Sequence, residues 1–132
     1  MTTHAEQAAR AWVDTWSRAW PAGDAEAICA LYAPDARYYS QSLREHEPPR
    51  SYVDRVFAEQ AQAECRFGAP IVSDDRAAVD WWGVIENHDG EVETIAGTSL
   101  LRFASDGKVV EQRDAWGSAQ GRVDVPHWAP AR

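Results

Sequence analysis

Apolar and polar positions follow a helical period in the first half of the chain and a strand-like period in the second. Over residues 4–20 the apolar side chains recur at spacings of three and four, which predicts an amphipathic helix. Asp24 is predicted to be the N-cap of a short second helix over 25–32, and a third helix is predicted over 50–63. The first half is therefore expected to be mainly helical.

Strand-like alternation dominates the second half of the chain. Three apolar runs are separated by the turn signals His88-Asp89-Gly90 and Ser105-Asp106-Gly107, which predicts a three-stranded antiparallel meander. Two further strands are predicted over 36–42 and 65–73, and residues 117–132 are predicted to form a C-terminal tail. Helices that precede an antiparallel sheet are typical of an α+β fold.

The meander places acidic and aromatic side chains together. Successive residues of a strand point to opposite faces of the sheet, so Asp80 shares a face with Trp82. In the last strand, Asp114 shares a face with Trp116 by the same rule. An apolar core has no use for buried carboxylates, whereas acid–base chemistry does. If these faces are the covered ones, we predict that Asp114 is a general acid/base and that Asp80 is its partner, because two close carboxylates raise each other's pKa.

Composition narrows the classes of partner. The formal net charge of −8 argues against nucleic acid and against anionic membrane surfaces, since both need basic patches. No apolar run approaches the roughly 20 residues that a membrane-spanning helix needs. The N-terminus lacks the pattern of a signal peptide, and we interpret Cys29 and Cys65 as reduced thiols, so a cytoplasmic location is expected.

Three short stretches carry a resemblance to a known superfamily. They are Ala22-Gly23-Asp24, Leu31-Tyr32-Ala33-Pro34-Asp35-Ala36 and Asp106-Gly107-Lys108-Val109-Val110-Glu111-Gln112-Arg113. With these stretches and its element lengths over residues 5–117, the chain resembles the nuclear transport factor 2-like (NTF2-like) superfamily, and within it the SnoaL-like proteins and ketosteroid isomerases. The resemblance implies an α+β, cystatin-like fold in which a curved antiparallel sheet forms a cone closed by three helices. It also implies one SnoaL-like domain over 1–132 and a homodimer formed through the sheet.

The resemblance does not extend to the catalytic groups of the ketosteroid isomerases. Where that family has a tyrosine donor on the first helix, this chain has Trp16. Where it has an aspartate base and a protonated aspartate, this chain has Ser40 and Ser99. A ketosteroid isomerase mechanism is therefore not expected, although the scaffold is similar.

Two other groups of the superfamily offer different chemistry. SnoaL-like cyclases place a single catalytic aspartate near the end of the sheet, and Asp114 is the nearest candidate here. Limonene epoxide hydrolases use an Asp–Arg–Asp arrangement, for which Asp80 and Asp114 are available. However, Arg102 and Arg113 are predicted to lie on the outer face, so the arginine between the two aspartates is not found.

The resemblance and the alternation together predict which residues face the pocket and which face outward. The predicted substrate-binding residues are Trp16, Tyr38, Ser40, Tyr52, Val56, Trp82, Val84, Ser99, Leu101, Gln112 and Trp116. A polar loop over 43–49, which contains Arg44 and His46, is expected to lie at the mouth of the pocket. The predicted outer-face residues are Trp81, Ile85, Leu100, Arg102 and Arg113. An outward patch with a tryptophan is expected to be covered, which favours a homodimer through this face.

These observations predict a cofactor-independent acid–base enzyme of isomerase, cyclase, dehydratase or hydrolase type. Its substrate is expected to be a small apolar, ring-containing or aromatic metabolite, because tryptophans supply flat apolar walls. The four histidines show no metal-ligand spacing, and no GxGxxG, P-loop or GxSxG motif occurs, so neither a metal nor a nucleotide cofactor is expected. A non-catalytic small-molecule-binding module and a dimerisation domain are the alternatives.

Overall fold

The computed structural model describes residues 3–129 and contains three helices and six strands over that range. The elements are α1 His4–Ala22, α2 Ala25–Cys29, β1 Tyr32–Tyr39, α3 Pro49–Glu59, β2 Gln60–Phe67, β3 Ile71–Ser73, β4 Arg76–Asn87, β5 Val92–Phe103 and β6 Val109–Gln120. The strands form one sheet in the order β1-β6-β5-β4-β2, with β3 also paired to β4. The predicted α+β architecture is confirmed, with one difference: β1 runs parallel to β6, so the sheet is mixed.

Helix α1 forms as its sequence predicts and supplies much of the core. The Thr3 side chain caps it by accepting from the Glu6 backbone N–H, and Gly23 ends it in the left-handed conformation at φ 65°. Pro21 lies inside the last turn instead of ending the helix. Because proline has no N–H, the Ser17 carbonyl loses its helical donor, and the Cys65 thiol lies 3.8 Å from that oxygen.

Two predicted helix ends are wrong because sheet pairing overrides helical spacing. The second helix ends at Cys29, and Tyr32, predicted to be helical, begins β1 opposite Val109. The third helix ends at Glu59, and Gln60 begins β2 opposite Asn87. In both cases the next residues exchange backbone hydrogen bonds with a neighbouring strand, which local periodicity does not reveal.

The structure reverses the predicted faces of β4. Directly paired residues of neighbouring strands point to the same side of a sheet. Trp81 pairs with Gly97, which pairs with Trp116, so Trp81 lies on the inner face. Asp80 pairs with Thr98 and therefore points outward. Either phase of β4 places a tryptophan on the inner face, and the prediction took the wrong phase because it interpreted Asp80 as a group of the pocket.

Two glycines of the inner face give tryptophans room against the sheet. A Cβ atom at Gly83 would lie 2.5 Å from the Trp20 ring, so only glycine lets that indole rest on β4. A Cβ atom at Gly97 would lie 2.6 Å from the Trp116 Cβ. The aromatic side chains therefore pack directly on the strands and line the space between the sheet and the helices.

The outward tryptophan of β4 is covered by the chain itself. Trp82 is 1% exposed because the segment after β6 folds back over it, and its Nε1 donates to the Val123 carbonyl at 3.2 Å. Thr94 on β5 holds the same segment by donating to the Gly121 carbonyl at 2.7 Å. The Arg122 guanidinium lies 5.7 Å from the centre of the Trp82 ring. Covering a tryptophan of the outer face therefore does not need a second copy of the chain.

The predicted dimer surface changes accordingly. Trp81 and Ile85, predicted to face outward, lie on the inner face. Leu100 remains on the outer face with 45% of its surface exposed, and Ile71 of the paired strand β3 is 73% exposed. The homodimer stays a prediction, and the surface that could form it is centred on these two apolar side chains.

Candidate functional site

A cavity of about 260 Å³ lies between the inner face of the sheet and helices α1 and α3. Of the predicted binding and catalytic residues, it is lined by Trp16, Tyr38, Ser40, Tyr52, Val56, Ser99, Gln112, Asp114 and Trp116. The lining residues that were not predicted are Trp20, Gln41, Arg55, Phe57, Glu59, Gln60, Phe67, Trp81, Ile85, Asn87, Glu93 and Ile95. The lining is aromatic and apolar where it meets the core, and charged where it is exposed.

Asp114 lies on β6 and is 6% exposed. Its carboxylate accepts three hydrogen bonds. Ser99 Oγ, from the paired position on β5, donates to Oδ1 at 2.6 Å, and Gln112 Nε2 donates to the same oxygen at 3.0 Å. The Tyr38 hydroxyl donates to Oδ2 at 2.9 Å. Three strands therefore place a donor on one buried carboxylate.

The direction of the Ser99 hydrogen bond is fixed by Trp81. An indole N–H can only donate, and Trp81 Nε1 lies 2.9 Å from Ser99 Oγ. Since Ser99 Oγ accepts there, its own hydrogen is free to point at Asp114 Oδ1. The tryptophan that the sequence analysis assigned to the outer face thus orients a donor toward the buried carboxylate.

The orientation of Gln112 is fixed in the same way. Trp12 Nε1 donates to Gln112 Oε1 at 3.2 Å, and the Tyr32 hydroxyl donates to the same oxygen. The amide nitrogen of Gln112 therefore faces Tyr38 and Asp114, and it donates to the Tyr38 hydroxyl at 3.1 Å. Because that hydroxyl accepts from Gln112, its hydrogen points at Asp114. All three donors favour the ionised carboxylate.

One acceptor position of the Asp114 carboxylate has no donor among the described residues. Each carboxylate oxygen can accept two hydrogen bonds. Oδ1 of Asp114 accepts from both Ser99 and Gln112, whereas Oδ2 accepts from Tyr38 alone among the described residues. Asp114 lines the cavity, so Oδ2 is the atom at which a proton can be taken up or returned.

Burial and hydrogen bonding act on Asp114 in opposite directions. Burial is the larger effect and raises the pKa of Asp114 from 3.8 to about 6, while the donors from Ser99, Gln112 and Tyr38 limit the rise. The carboxylate is thus mainly ionised at neutral pH but close to its titration. Burial also raises the pKa of Tyr38 well above 10, with the charge of Asp114 acting in the same direction. Tyr38 therefore stays protonated and remains a donor.

Asp80 is not the partner of Asp114. Its side chain is exposed on the outer face, where its Oδ1 accepts from Thr98 Oγ1 at 2.9 Å. The predicted carboxylate pair is therefore wrong, and the raised pKa of Asp114 comes from burial alone. Trp82 and Val84 share the outer face with Asp80 and do not line the cavity.

Leu101 has the predicted orientation but not the predicted contact with the cavity. It is paired with Gln112 on the inner face, yet it is 1% exposed and packs into the apolar core. Its place in the core follows from its distance along β5 from the exposed end of the cavity. Alternation identifies a residue's face but not its depth along the strand.

At the exposed end of the cavity, a series of hydrogen bonds and ring contacts holds the loop between β1 and α3 in place. Glu47 is bridged to Tyr38 by two backbone hydrogen bonds of 3.0 Å. The guanidinium of Arg55 on α3 donates hydrogen bonds to both carboxylate oxygens of Glu47 at 2.8 Å and lies 5.7 Å from the centre of the Tyr52 ring. Tyr52 in turn stacks on Tyr38, with ring centres 4.4 Å apart. This chain of contacts connects the loop with the donor to Asp114.

The loop itself was predicted, over residues 43–49, to lie at the mouth of the pocket. Arg44 of this loop lines the cavity, together with Gln41 just before it. His46 packs instead against the Tyr39 ring at 5.5 Å and is not among the lining residues.

Within residues 3–129 no group of three or more His, Cys, Asp or Glu side chains is arranged to hold a metal ion. Over the same range no helix is both long and apolar enough to cross a membrane.

Comparison with known proteins assigns the chain to a family. A family model for the SnoaL-like domain matches residues 9–112, and the chain belongs to that family. The matched region ends two residues before Asp114, so the family match does not itself assign that residue a role. No curated protein sequence matches the chain significantly.

Solved structures share the fold at low sequence identity. An NTF2-like protein of unknown function from Exiguobacterium sp. 255-15 is 17% identical with a TM-score of 0.70, covering 83% of this chain and 98% of its own. SalBIII, an epoxide hydrolase/cyclase-like enzyme in pyran ring formation of the polyether salinomycin, is 19% identical with a TM-score of 0.72, covering 87% and 95%. AclR from Streptomyces galilaeus, a proposed hydroxylase, is 18% identical with a TM-score of 0.70, covering 89% and 91%. These structures establish the NTF2-like fold.

Proposed function

We propose that the protein is a cofactor-independent acid–base enzyme of isomerase, cyclase, dehydratase or hydrolase type, acting on a small apolar, ring-containing molecule. The observation that carries this proposal is the single buried carboxylate of Asp114, on which three oriented donors converge at the floor of an aromatic cavity. A structural ion pair would need a cation at this position. The only hydrogen-bond partners of Asp114 among residues 3–129 are neutral.

Proton transfer is the step that this arrangement suits. Ionised Asp114 accepts a proton from a substrate C–H or O–H at Oδ2 and returns it to a second substrate atom. A pKa near 6 makes both directions accessible around neutral pH, which is the condition for efficient general acid–base catalysis. The rings of Trp16, Trp81 and Trp116 supply flat apolar walls that hold a ring system and exclude water.

The site favours a one-carboxylate mechanism over the Asp–Arg–Asp arrangement. Asp114 is the only buried acidic residue among the described residues that line the cavity, since Glu59 and Glu93 are more exposed. Asp80 points to the other side of the sheet. Of the two arginines that line the cavity, Arg55 is hydrogen-bonded to both carboxylate oxygens of Glu47, and Arg44 is exposed in the loop before α3. SalBIII supports small-molecule chemistry on this scaffold, while the identity of 19% leaves the reaction to be established by experiment.

Isotope exchange tests the proposal without knowledge of the substrate. A panel of enolisable ring ketones such as 2-tetralone is incubated with the protein in D₂O, and loss of α-hydrogens is followed by NMR. We expect exchange above the buffer rate, and a reduction of about 10²–10⁴-fold in Asp114→Asn, the range that one positioned acid–base group contributes. Asp80→Asn is the matched control, since its carboxylate is exposed on the outer face, and it should retain the wild-type rate.

Two outcomes would count against catalysis. If Asp114→Asn exchanges as fast as the wild type, Asp114 is not the base. If the ketones bind but no exchange exceeds the buffer rate, the same cavity is that of a non-catalytic binding module, the alternative drawn from the sequence.

A further inference from the structure

Ser40 carries an unused hydroxyl in the cavity. It follows directly after β1, is 2% exposed and lines the cavity. Among the described residues its Oγ is the only fully buried side-chain nitrogen or oxygen without a hydrogen-bond partner. The hydroxyls of Ser99 and Tyr38 and the amide of Gln112 are all engaged with Asp114.

Strand pairing places this hydroxyl beside the carboxylate. β1 runs parallel to β6 with Tyr38 opposite Gln112 and Tyr39 opposite Arg113. Continued by one residue, this register puts Ser40 opposite Asp114, and paired strands are about 4.8 Å apart. Trp116 Nε1 donates to the Ser40 carbonyl at 2.6 Å and fixes the backbone there. The base and the unused donor therefore sit side by side on one face.

We propose that the Ser40 hydroxyl donates a hydrogen bond to a substrate oxygen bonded to the carbon next to the one that Asp114 deprotonates. The ligand class is thus an enolisable ring ketone or its enol, with the oxygen at Ser40 and the reacting C–H at Asp114. This inference rests on the proposed function of the cavity.

The step balances with these two residues alone. Asp114 Oδ2 takes the α-hydrogen as a proton, and the C–H electron pair forms the C=C bond of the enolate while the carbonyl π pair moves to oxygen. That oxygen gains negative charge and strengthens its hydrogen bond with Ser40. Protonation of a carbon by Asp114 reverses the flow. A donor aimed at the atom where charge develops stabilises the transition state more than the ground state.

The cost of the unused hydroxyl favours a ligand role. A buried polar group without a partner destabilises the folded protein, and an apolar side chain of similar size would not. Residues that break a local rule of folding are concentrated at functional sites. Ser40 fits that description, since a ligand oxygen would supply the partner that it lacks.

The test compares 2-tetralone with tetralin, the same ring system without the oxygen. Binding of both probes is measured by ligand-observed NMR for wild type, Ser40→Ala, Ser40→Thr and Ser42→Ala, and α-hydrogen exchange of 2-tetralone is measured for the same proteins. We expect the wild type to prefer 2-tetralone, and Ser40→Ala to lose that preference while binding tetralin unchanged. Exchange by Ser40→Ala should fall about 10²-fold, as for the loss of one oxyanion donor.

The other variants separate a hydroxyl effect from a packing effect. Ser40→Thr keeps a hydroxyl and should retain the preference for the ketone, and Ser42→Ala alters an exposed serine of the same loop and should behave as wild type. If the wild type shows no preference for 2-tetralone, or if Ser40→Ala keeps it, the role of Ser40 is overturned. That result is independent of the exchange assay on Asp114→Asn, which decides the proposed function.

Discussion

Asp114 and Asp80 lie on the same sheet, and its two faces give the same side chain different chemistry. On the outer face, the Asp80 carboxylate is exposed and accepts from one threonine. On the inner face, the Asp114 carboxylate is buried and accepts from three side chains of three strands. Burial raises the pKa of Asp114 to about 6 despite these donors. A site on this fold therefore needs water exclusion as well as an acidic residue.

The two faces also differ in how their tryptophans are used. The Trp81 indole on the inner face donates to Ser99 and so orients a hydrogen bond to Asp114. The Trp82 indole on the outer face donates to the Val123 carbonyl and holds the C-terminal segment against the sheet. One tryptophan serves the candidate site, and its neighbour in sequence serves the fold.

The largest expected difference between the faces is in the pH dependence of stability. The folded pKa of Asp114, about 6, lies above the ordinary aspartate pKa of 3.8, so the folded state binds more protons between these values. The free energy of unfolding contributed by this group is therefore greatest below pH 4 and falls as pH rises through 6. At 1.36 kcal/mol per pKa unit, the change is roughly 3 kcal/mol.

Urea unfolding from pH 4 to pH 8 measures this contribution. The free energy of unfolding of wild type relative to Asp114→Asn should fall by roughly 2 kcal/mol between the two ends, because the unfolded carboxyl group is already partly ionised at pH 4. Ser42→Ala, which removes no ionisable group, is the control, and its difference from wild type should stay constant across the range. Taking differences cancels the opposite contributions of Glu47, Glu64 and Glu111, whose pKa values are lowered by hydrogen bonds from arginines. Parallel curves for wild type and Asp114→Asn would contradict the burial argument.

A smaller effect is expected from removing one donor on the inner face. Tyr38→Phe deletes the hydrogen bond to Asp114 Oδ2, so the ionised form loses stabilisation and the pKa of Asp114 rises further. The acid limb of the pH–rate profile should move to higher pH by about one unit. A hydrogen bond to a charged group contributes about 1.5–3 kcal/mol, and the freed carboxylate oxygen regains part of this energy from other partners.

Tyr39→Phe is the control for this shift. Tyr39 is the next residue of β1, points to the opposite side and packs against His46. Its variant should leave the acid limb in place. An unmoved profile in Tyr38→Phe would mean that the tyrosine is a wall of the cavity and not part of the titrating group.

Much of the fold could be predicted from the sequence because its signals are local. The stripe of α1 and the Asp-Gly turns of the meander depend on residues within a few positions of each other, and all three meander strands formed where expected. The face of β6 was also predicted correctly, and it carries Asp114 and Gln112 inward. The bounds of β1 and β2 were missed because they depend on pairing with distant strands.

The site could be predicted only in part for the same reason. The face of β4 was misassigned because its charged residues were interpreted as chemical groups of the pocket. The side with Val79 and Trp81 is the apolar one, and Asp80 and Glu86 lie on the solvent side. Ordinary alternation of apolar and charged positions would have indicated this phase. The contacts of Trp81 with Ser99 and of Trp82 with Val123 join distant parts of the chain, and no local pattern predicts them.

The smallest expected effect concerns Ser40, whose substitution should cost no stability. Most substitutions of buried residues destabilise a protein. Ser40→Ala removes a buried hydroxyl that has no partner among residues 3–129, so no other group is left unpaired by the change. The ligand-free variant should therefore be no less stable than wild type.

The free energy of unfolding of the ligand-free proteins, measured by thermal or urea unfolding, checks this expectation. Ser99→Ala provides the contrast on the same face, because it removes a donor to Asp114 and an acceptor of Trp81, and it should be destabilising. Ser42→Ala, at an exposed position, should change little. If Ser40→Ala is as destabilising as Ser99→Ala, its hydroxyl has a structural partner in solution, and the inner face holds no spare donor for a ligand.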